Sequence, residues 1–228
     1  MTTSVREPKD LAPFIDHTLL KPEVTLKDIE RLCAEAREHA FKAVCVNPIF
    51  VARTREFLRG SSVITASVIG FPLGVSDSRV KTLETEIAVT DGASEIDMVI
   101  RLDLVKTARW AEAEQDIRSV VQAAGGKIVK VILETGLLTS DEISQACRVS
   151  ELAGAHFVKT ATGFLGRGAS VEDILLMKKS IGPKMEIKAS GGVKTFEQAL
   201  ALINAGATRL GTSAGVALIS GGAAGGGY

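Results

Sequence analysis

The sequence has few cysteines, no excess of charge and no long apolar run. Its 3 cysteines, Cys33, Cys45 and Cys147, are widely spaced, which predicts neither a disulfide framework nor a zinc site. Lys plus Arg and Asp plus Glu both number 27, so no imbalance indicates nucleic acid or an anionic membrane as a partner. The apolar stretches have strand length, too short to span a bilayer. We therefore expect a globular cytoplasmic protein, and the polar residues 1–10 predict no secretory signal.

Two nucleotide-binding fingerprints are also missing. No G-x-x-x-x-G-K-[ST] sequence occurs, and the first predicted strand leads into "HTLLKP" rather than into G-x-G-x-x-G. The glycine-rich stretch "GFLGRG" (163–168) matches neither pattern. These absences disfavour a doubly wound dinucleotide-binding sheet.

What is present is a regular alternation of predicted strands and helices. Capping residues precede four of the helices, at Thr25, Thr139, Ser170 and Thr195. The predicted strands are Phe14–Leu19, Ala43–Asn47, Val63–Ile69, Glu95–Ile100, Ile128–Glu134, His156–Thr160, Met185–Ala189 and Arg209–Gly211. Such alternation favours an α/β fold closed as a (β/α)8 TIM barrel with a short extra N-terminal helix, and a doubly wound open sheet is the alternative. We expect one domain over residues 1–228, with a flexible glycine-rich tail from about residue 220.

Charged and polar residues lie at the ends of these strands, where the catalytic groups of a barrel are found. Strands six and seven end in lysines, Lys159 in "HFVKTATGF" and Lys188 in "MEIKASGG". The other strand ends offer Asp16, Cys45, Asn47, Asp97, Lys130 and Glu134. Each has an ordinary structural interpretation: a strand-end lysine is usually solvated or ion-paired, and Cys45 fits a small core residue. Their convergence on one barrel interior instead favours a compensated charge network or an active site.

The two lysines have a specific chemical use if they are neighbours. A lysine attacks a carbonyl only as the neutral amine, and its usual pKa is about 10.4. A second ammonium group about 4 Å away raises the energy of the charged form by roughly 4 kcal/mol, equivalent to about 3 pKa units. One of the pair is then neutral near cellular pH, which is a known way to activate a Schiff-base lysine. Asp97 would transfer protons or hold the second lysine.

Glycine turns after the last two strands predict an anion site. "ASGGVKT" (189–195) and "LGTSAG" (210–215) both precede helices, and Gly163 follows strand six. Backbone amides at such turns bind phosphate, and the loops after strands seven and eight are the usual phosphate position of this barrel. For any single turn, a tight connection that needs glycine is an equally good explanation.

Seven motifs together resemble one family, the deoxyribose-phosphate aldolases. They run in order from residue 15 to about residue 215: "IDHTLLKP", "VCVNP", "VIGFPLG", "EIDMVI", "KVILET", "FVKTATGF" and "IKASGGVKT". The resemblance implies a class I aldolase that needs no metal or other cofactor. It implies reversible cleavage of 2-deoxy-D-ribose 5-phosphate to D-glyceraldehyde 3-phosphate and acetaldehyde, a step of deoxyribonucleotide catabolism.

The resemblance also implies a role for individual residues. Lys159 matches the Schiff-base lysine, Lys188 the lysine that lowers its pKa, and Asp97 the proton-relay carboxylate. Tyr228, the only tyrosine, matches a C-terminal tyrosine implicated in a proton step, with a disordered end as the alternative. The expected substrate-binding residues are Asp16, Cys45, Lys130, Thr160, Gly163, Gly191, Gly192, Gly211 and Ser213.

Two residues depart from the family pattern, and two other functions stay open. Ala161 stands where many members have Ser, and Lys194 stands where Arg is common, both beside the expected phosphate site. One alternative is a different lysine-dependent or transaldolase-like barrel enzyme with another phosphosugar. The other is a non-catalytic phosphosugar-binding barrel, which has no need of paired lysines. A homodimer or homotetramer is the expected assembly.

Overall fold

Eight parallel strands close into a barrel in the computed structural model, which describes residues 5–222. The strands are β1 Ile15–Leu19, β2 Ala43–Val46, β3 Ile64–Ile69, β4 Glu95–Val99, β5 Ile128–Ile132, β6 Phe157–Lys159, β7 Glu186–Ser190 and β8 Arg209–Thr212. Strand β1 pairs in parallel with both β2 and β8, which completes the ring. The predicted barrel is therefore confirmed, and the open-sheet alternative is wrong.

Helices separate consecutive strands and cover the outside of the barrel. They are α1 Leu26–Glu38, α2 Val51–Phe57, α3 Ser78–Asp91, α4 Leu102–Lys106, α5 Trp110–Ala123, α6 Ser140–Leu152, α7 Val171–Ser180, α8 Phe196–Ala205 and α9 Gly215–Ile219. Thr25, Thr139 and Thr195 form the predicted capping boxes, and the Ser170 hydroxyl accepts a hydrogen bond from the Asp173 amide. These caps satisfy amide groups that the first helical turn leaves free.

The predicted N-terminal helix is present as a 3₁₀ helix, Pro8–Phe14, which packs against α9. Within residues 5–222, no helix is long and apolar enough to cross a membrane. Tyr228 and most of the predicted flexible tail lie outside the described residues.

Two apolar clusters divide the interior. The larger one fills the space between the barrel and its helices. The smaller one consists of Leu20, Cys45, Ala66 and Val68, with Phe71 packed against it. Because strand residues alternate between the two faces of a sheet, the inward positions of β4 to β8 are left for a different set of side chains. Those positions carry charge.

Candidate active site

Asp97 lies at the centre of the barrel interior and binds three lysines. The Lys130 ammonium donates to Asp97 Oδ1 over 2.6 Å. Lys159 and Lys188 both donate to Asp97 Oδ2, over 2.9 Å and 2.8 Å. The strand register explains this convergence, because Asp97 on β4 lies opposite Lys130 on β5, and Lys159 on β6 lies opposite Lys188 on β7. The two lysines predicted to be neighbours thus share one carboxylate oxygen.

A second set of ion pairs surrounds this centre. Lys188 donates to Asp16 Oδ2 over 2.5 Å, and Lys130 lies 2.6 Å from Glu95 Oε2. Arg209 bridges the two carboxylates, with its Nη1 atom 2.8 Å from both Asp16 Oδ1 and Glu95 Oε2. Glu95 and Arg209 were not among the predicted site residues. Each is a charged residue at the first position of a buried strand, and this is the signal that the sequence offers. Glu95 begins β4, two residues before Asp97, and Arg209 begins β8.

The cluster contains one cation more than it has carboxylates. Three acidic side chains, Asp16, Glu95 and Asp97, face four basic ones, Lys130, Lys159, Lys188 and Arg209. All seven are buried, none more than 5% exposed. A buried, uncompensated charge is strongly unfavourable, so the cluster balances best when one basic group is neutral. Lys159 has the weakest ties, because its only ion pair among the described residues is the one to Asp97, which it shares.

The pKa directions agree with this assignment. Burial lowers the pKa of Lys159; Asp97 opposes that effect, and the Lys188 charge adds to it. Burial also opposes charge on Lys188, yet Asp16 and Asp97 raise its pKa well above the usual value. Burial would raise the pKa of Asp16, but Lys188, Lys130 and Arg209 lower it to about 2. The interior therefore holds one amine inclined to be neutral among groups that stay charged.

This finding modifies the predicted mechanism of activation. The sequence argument assigned the lowered pKa of Lys159 to the charge of Lys188 alone. In the structure, burial is the larger cause, and Asp97 stands between the two ammonium groups. Lys188 acts by occupying carboxylate oxygens that would otherwise stabilise a charged Lys159.

An apolar wall faces the lysines. Cys45 is fully buried in the small cluster with Leu20, Ala66 and Val68. Burial raises the pKa of its thiol, and the nearby Asp97 charge raises it further. Cys45 is therefore a neutral, apolar wall residue near the Lys159 amine.

A cavity of about 240 Å³ lies beside the cluster and is lined mainly by glycine turns. All five residues predicted for an anion site line it: Gly163, Gly191, Gly192, Gly211 and Ser213. Among the other lining residues, Gly166 and Gly168 escaped prediction, because the loop after β6 folds back over the cavity. Lys194, expected beside the phosphate site, also lines the cavity. Lys194 supplies a positive charge there. Gly163 has a φ of +85°, which only glycine adopts without strain.

The anion cavity and the lysine cluster are in direct contact. A Cβ atom at Gly211 would lie 2.9 Å from Lys188 Cε, so glycine is required for their close approach. The start of the loop after β6 is also tied to the end of β7. The Thr160 hydroxyl donates to the Ser190 carbonyl over 2.8 Å and accepts from the Ser190 amide over 2.9 Å. The Thr160 hydroxyl thus has two partners within the protein.

In residues 5–222 no cluster of three or more His, Cys, Asp and Glu side chains is arranged to hold a metal ion. The three carboxylates of the cluster, Asp16, Glu95 and Asp97, are instead all paired with lysine or arginine.

Comparison with known proteins gives a consistent picture. A family model described as DeoC/LacD family aldolase matches residues 11–221. The curated deoxyribose-phosphate aldolase of Bdellovibrio bacteriovorus is 53% identical, with 96% of this chain and 99% of the relative covered. The one from Staphylococcus epidermidis is 54% identical over 92% of this chain and 96% of the relative. A solved structure of the deoxyribose phosphate aldolase from Aeropyrum pernix, described as tetrameric, superimposes with a TM-score of 0.88 at 33% identity, covering 94% of this chain and 91% of that one.

Proposed function

Because the chain belongs to the DeoC/LacD family of aldolases, we propose that it cleaves 2-deoxy-D-ribose 5-phosphate reversibly to D-glyceraldehyde 3-phosphate and acetaldehyde. The observation that carries this proposal is the buried lysine whose charge the cluster leaves uncompensated, next to a glycine-lined anion cavity. A neutral amine beside a phosphate site is what a Schiff-base aldolase for phosphosugars requires. The reaction belongs to deoxyribonucleotide catabolism.

The reaction begins at Lys159. Its neutral amine adds to the C1 aldehyde of the open-chain sugar, and loss of water gives a protonated imine. The imine withdraws electrons as the C2–C3 bond breaks, while a base takes the proton of the C3 hydroxyl. D-glyceraldehyde 3-phosphate leaves, and the remaining two-carbon enamine is protonated at C2. Hydrolysis of that imine releases acetaldehyde and restores the amine.

Asp97 and Lys188 support these proton movements. Asp97 contacts the nitrogen that gains and loses protons, over 2.9 Å. Burial alone would raise the pKa of Asp97, but Lys130, Lys159 and Lys188 hold it well below the usual value. Asp97 therefore accepts protons only in transit and mainly anchors the ammonium groups. Lys188 stays charged between Asp16 and Asp97 and so keeps those carboxylates from stabilising a charged Lys159.

The two ends of the substrate have separate surroundings. The phosphate is bound by the turns that contain Gly163, Gly191, Gly192, Gly211 and Ser213, with Lys194 as a counter-charge. The two-carbon end lies at Lys159 against the apolar wall around Cys45. This small wall distinguishes the proposed reaction from that of an aldolase with a larger donor. Three further residues lie beneath the substrate and hold the site in place. Asp16 binds Lys188, Lys130 binds Asp97, and Thr160 binds Ser190 at the end of β7.

Tyr228 has a proposed role that rests on the sequence and the family resemblance. Tyr228 is six positions beyond Gly222, the last described residue, and a chain of six residues can reach roughly 13 Å. A phenol over the barrel mouth can exchange a proton with C2 of the enamine. Tyr228→Phe is expected to lower kcat for cleavage with little change in Lys159 trapping.

Self-association is also proposed, as a homodimer or homotetramer. Val80, Leu83 and Ile87 share one face of α3, and each is at least 50% exposed. Exposed apolar residues in one patch mark interaction sites, and the related protein from Aeropyrum pernix is described as a tetramer. Leu83→Glu should lower the molar mass measured by light scattering, whereas Leu175→Glu, at an exposed apolar site on α7, should not.

The three free thiols, Cys33, Cys45 and Cys147, support a reducing cytoplasmic location.

Reductive trapping tests the chemistry. Incubation with acetaldehyde and borohydride should place one ethyl group on Lys159, identified by peptide mass mapping. The matched control is Lys81→Met, which removes another fully buried lysine and should leave the label in place. A label on Lys188 alone would reverse the two lysine roles. Absence of any lysine label would exclude the Schiff base and leave a phosphosugar-binding barrel as the better explanation.

A further inference from the structure

Glu134 is a buried carboxyl group that the lysine chemistry does not use. It follows β5, has 0% exposed surface and has a left-handed backbone with a φ of 58°. Non-glycine residues in that conformation are strained and are retained where the surrounding structure needs them. The adjacent amides explain how it is held: Leu133 N–H donates to the Lys159 carbonyl and Thr135 N–H to the Thr160 carbonyl, both over 2.9 Å. The Glu134 side chain therefore emerges between two backbone bonds to the end of β6.

One carboxylate oxygen of Glu134 holds the loop that follows Lys159. Glu134 Oε2 accepts from the Thr162 amide over 3.1 Å and from the Thr162 hydroxyl over 2.5 Å. The same hydroxyl accepts a hydrogen bond from the Phe164 amide over 3.1 Å. The bonds therefore fix the chain on both sides of Gly163, which lines the anion cavity. Three hydrogen bonds thus connect Glu134 to the geometry of that cavity.

Glu134 stands apart from the ion-paired cluster. It forms no ion pair with any described residue, and its Oε1 atom is buried without a hydrogen-bond partner there. The charged group that acts on it is Lys159. Glu134 therefore contributes to the site through its Oε2 atom, which holds Thr162.

We propose that Glu134 is a positioning residue that sets the anion cavity relative to Lys159 by holding Thr162 and, through it, Gly163. The inference rests on the phosphosugar cleavage proposed above. It assigns to Glu134 a selective effect on phosphorylated ligands, because acetaldehyde and unphosphorylated 2-deoxyribose do not occupy the glycine turns. Glutamine can fill the same role, since its amide oxygen accepts both bonds from Thr162.

The experiment compares Glu134→Ala with Glu134→Gln on two sugars. Glu134→Ala should raise KM for 2-deoxyribose 5-phosphate about tenfold, the effect of losing two hydrogen bonds to Thr162. It should leave kcat, Lys159 trapping and kcat/KM for 2-deoxyribose within about threefold of the wild type. Glu134→Gln should stay within about twofold on both sugars. The matched control is Glu151→Ala, which removes a carboxylate that accepts from the Gly182 amide before β7, at the opposite end of the barrel.

Several outcomes would overturn the proposal. These are equal loss on both sugars, an unchanged KM in folded Glu134→Ala, or a Glu134→Gln variant as impaired as Glu134→Ala. If Glu134→Ala does not fold, Thr162→Val removes the shared hydroxyl and should raise the same KM about threefold. Calorimetric binding of inorganic phosphate tests the cavity without catalysis, and Glu134→Ala should weaken it about tenfold. A wild type that binds phosphate but cleaves neither sugar would instead refute the proposed function.

Discussion

Lys81 and the lysines of the barrel interior are all buried, but they differ in their ion-pair partners. Lys81, on α3, is fully buried between α3 and α5. It donates to Asp116 Oδ2 over 2.7 Å and to the Val99 carbonyl over 2.9 Å. The Ser78 hydroxyl completes Asp116 by donating to its other oxygen over 2.6 Å. This pair is closed, with one cation for one anion.

The barrel interior is not closed in the same way. There, Lys159 shares Asp97 with two other lysines and has no ion-pair partner of its own among the described residues. Burial lowers the pKa of both Lys81 and Lys159, so the direction of the shift does not separate structure from function. The number of carboxylates ion-paired with each lysine does separate them. A buried lysine within a balanced pair is structural, and a lysine in excess of the carboxylates in its cluster is free to react.

Replacing each lysine by methionine should give the largest contrast. Lys159→Met removes the only amine assigned to the imine, so kcat/KM for 2-deoxyribose 5-phosphate should fall at least about 10⁴-fold. Lys81→Met should stay within about threefold where it is folded, because its pair lies outside the barrel interior. Steady-state cleavage assays on both variants measure the contrast. Equal losses would mean that the charge count has no predictive value here.

The two aspartates provide the next largest contrast. Asp97→Asn removes the negative charge next to the Lys159 nitrogen, and kcat should fall about 10²- to 10³-fold. Asp116→Asn removes the same charge from the closed pair and should change thermal stability with kcat nearly unaltered. Turnover and melting temperature, measured on the same preparations, separate the two effects. A nearly normal kcat in Asp97→Asn would remove that carboxylate from the mechanism.

Lys188→Leu converts the open cluster into a balanced one. Three carboxylates then face three basic groups including Lys159, so the pKa of Lys159 rises. Imine formation needs the neutral amine, and its rate at pH 7 should fall about tenfold and recover at higher pH. The pH profile of acetaldehyde trapping measures this shift. A profile identical to that of the wild type would show that Lys188 does not act on Lys159.

Much of this arrangement was predictable because a strand imposes a period of two. Once β6 and β7 were located, Lys159 and Lys188 had to project from neighbouring strands, and Asp97 had to face the same space. All eight predicted strands are present, with ends that differ by at most a few residues, as at β7, predicted from Met185 and observed from Glu186. The glycine turns of the anion cavity were equally local signals.

The residues that escaped prediction depend on contacts distant in sequence. Arg209 opens β8, where the sequence alone does not say whether the side chain enters the barrel. Lys81 has the sequence context of a solvated helix lysine, and only the packing of α3 on α5 buries it with Asp116. Gly166 and Gly168 line the cavity because their loop returns over it. The charge balance of the interior thus required the structure.

The smallest effect distinguishes the two lysines by stability. Lys159→Met removes an amine whose pKa the folded state lowers, so the free energy of unfolding at pH 7 should rise by about 1–2 kcal/mol, as at other destabilised active sites. Lys81→Met leaves Asp116 buried without its partner, and the free energy of unfolding should fall by about 3 kcal/mol.

The gain in the free energy of unfolding that Lys159→Met produces also depends on pH. Because burial lowers the pKa of Lys159 below the 10.5 of an unfolded lysine, the unfolded state binds more protons between those values. The gain is therefore complete below the folded pKa and disappears as pH approaches 10.5. Urea unfolding of wild type and variant at pH 7 and near pH 10 tests this, and a gain that does not shrink at the higher pH would contradict the lowered pKa of Lys159.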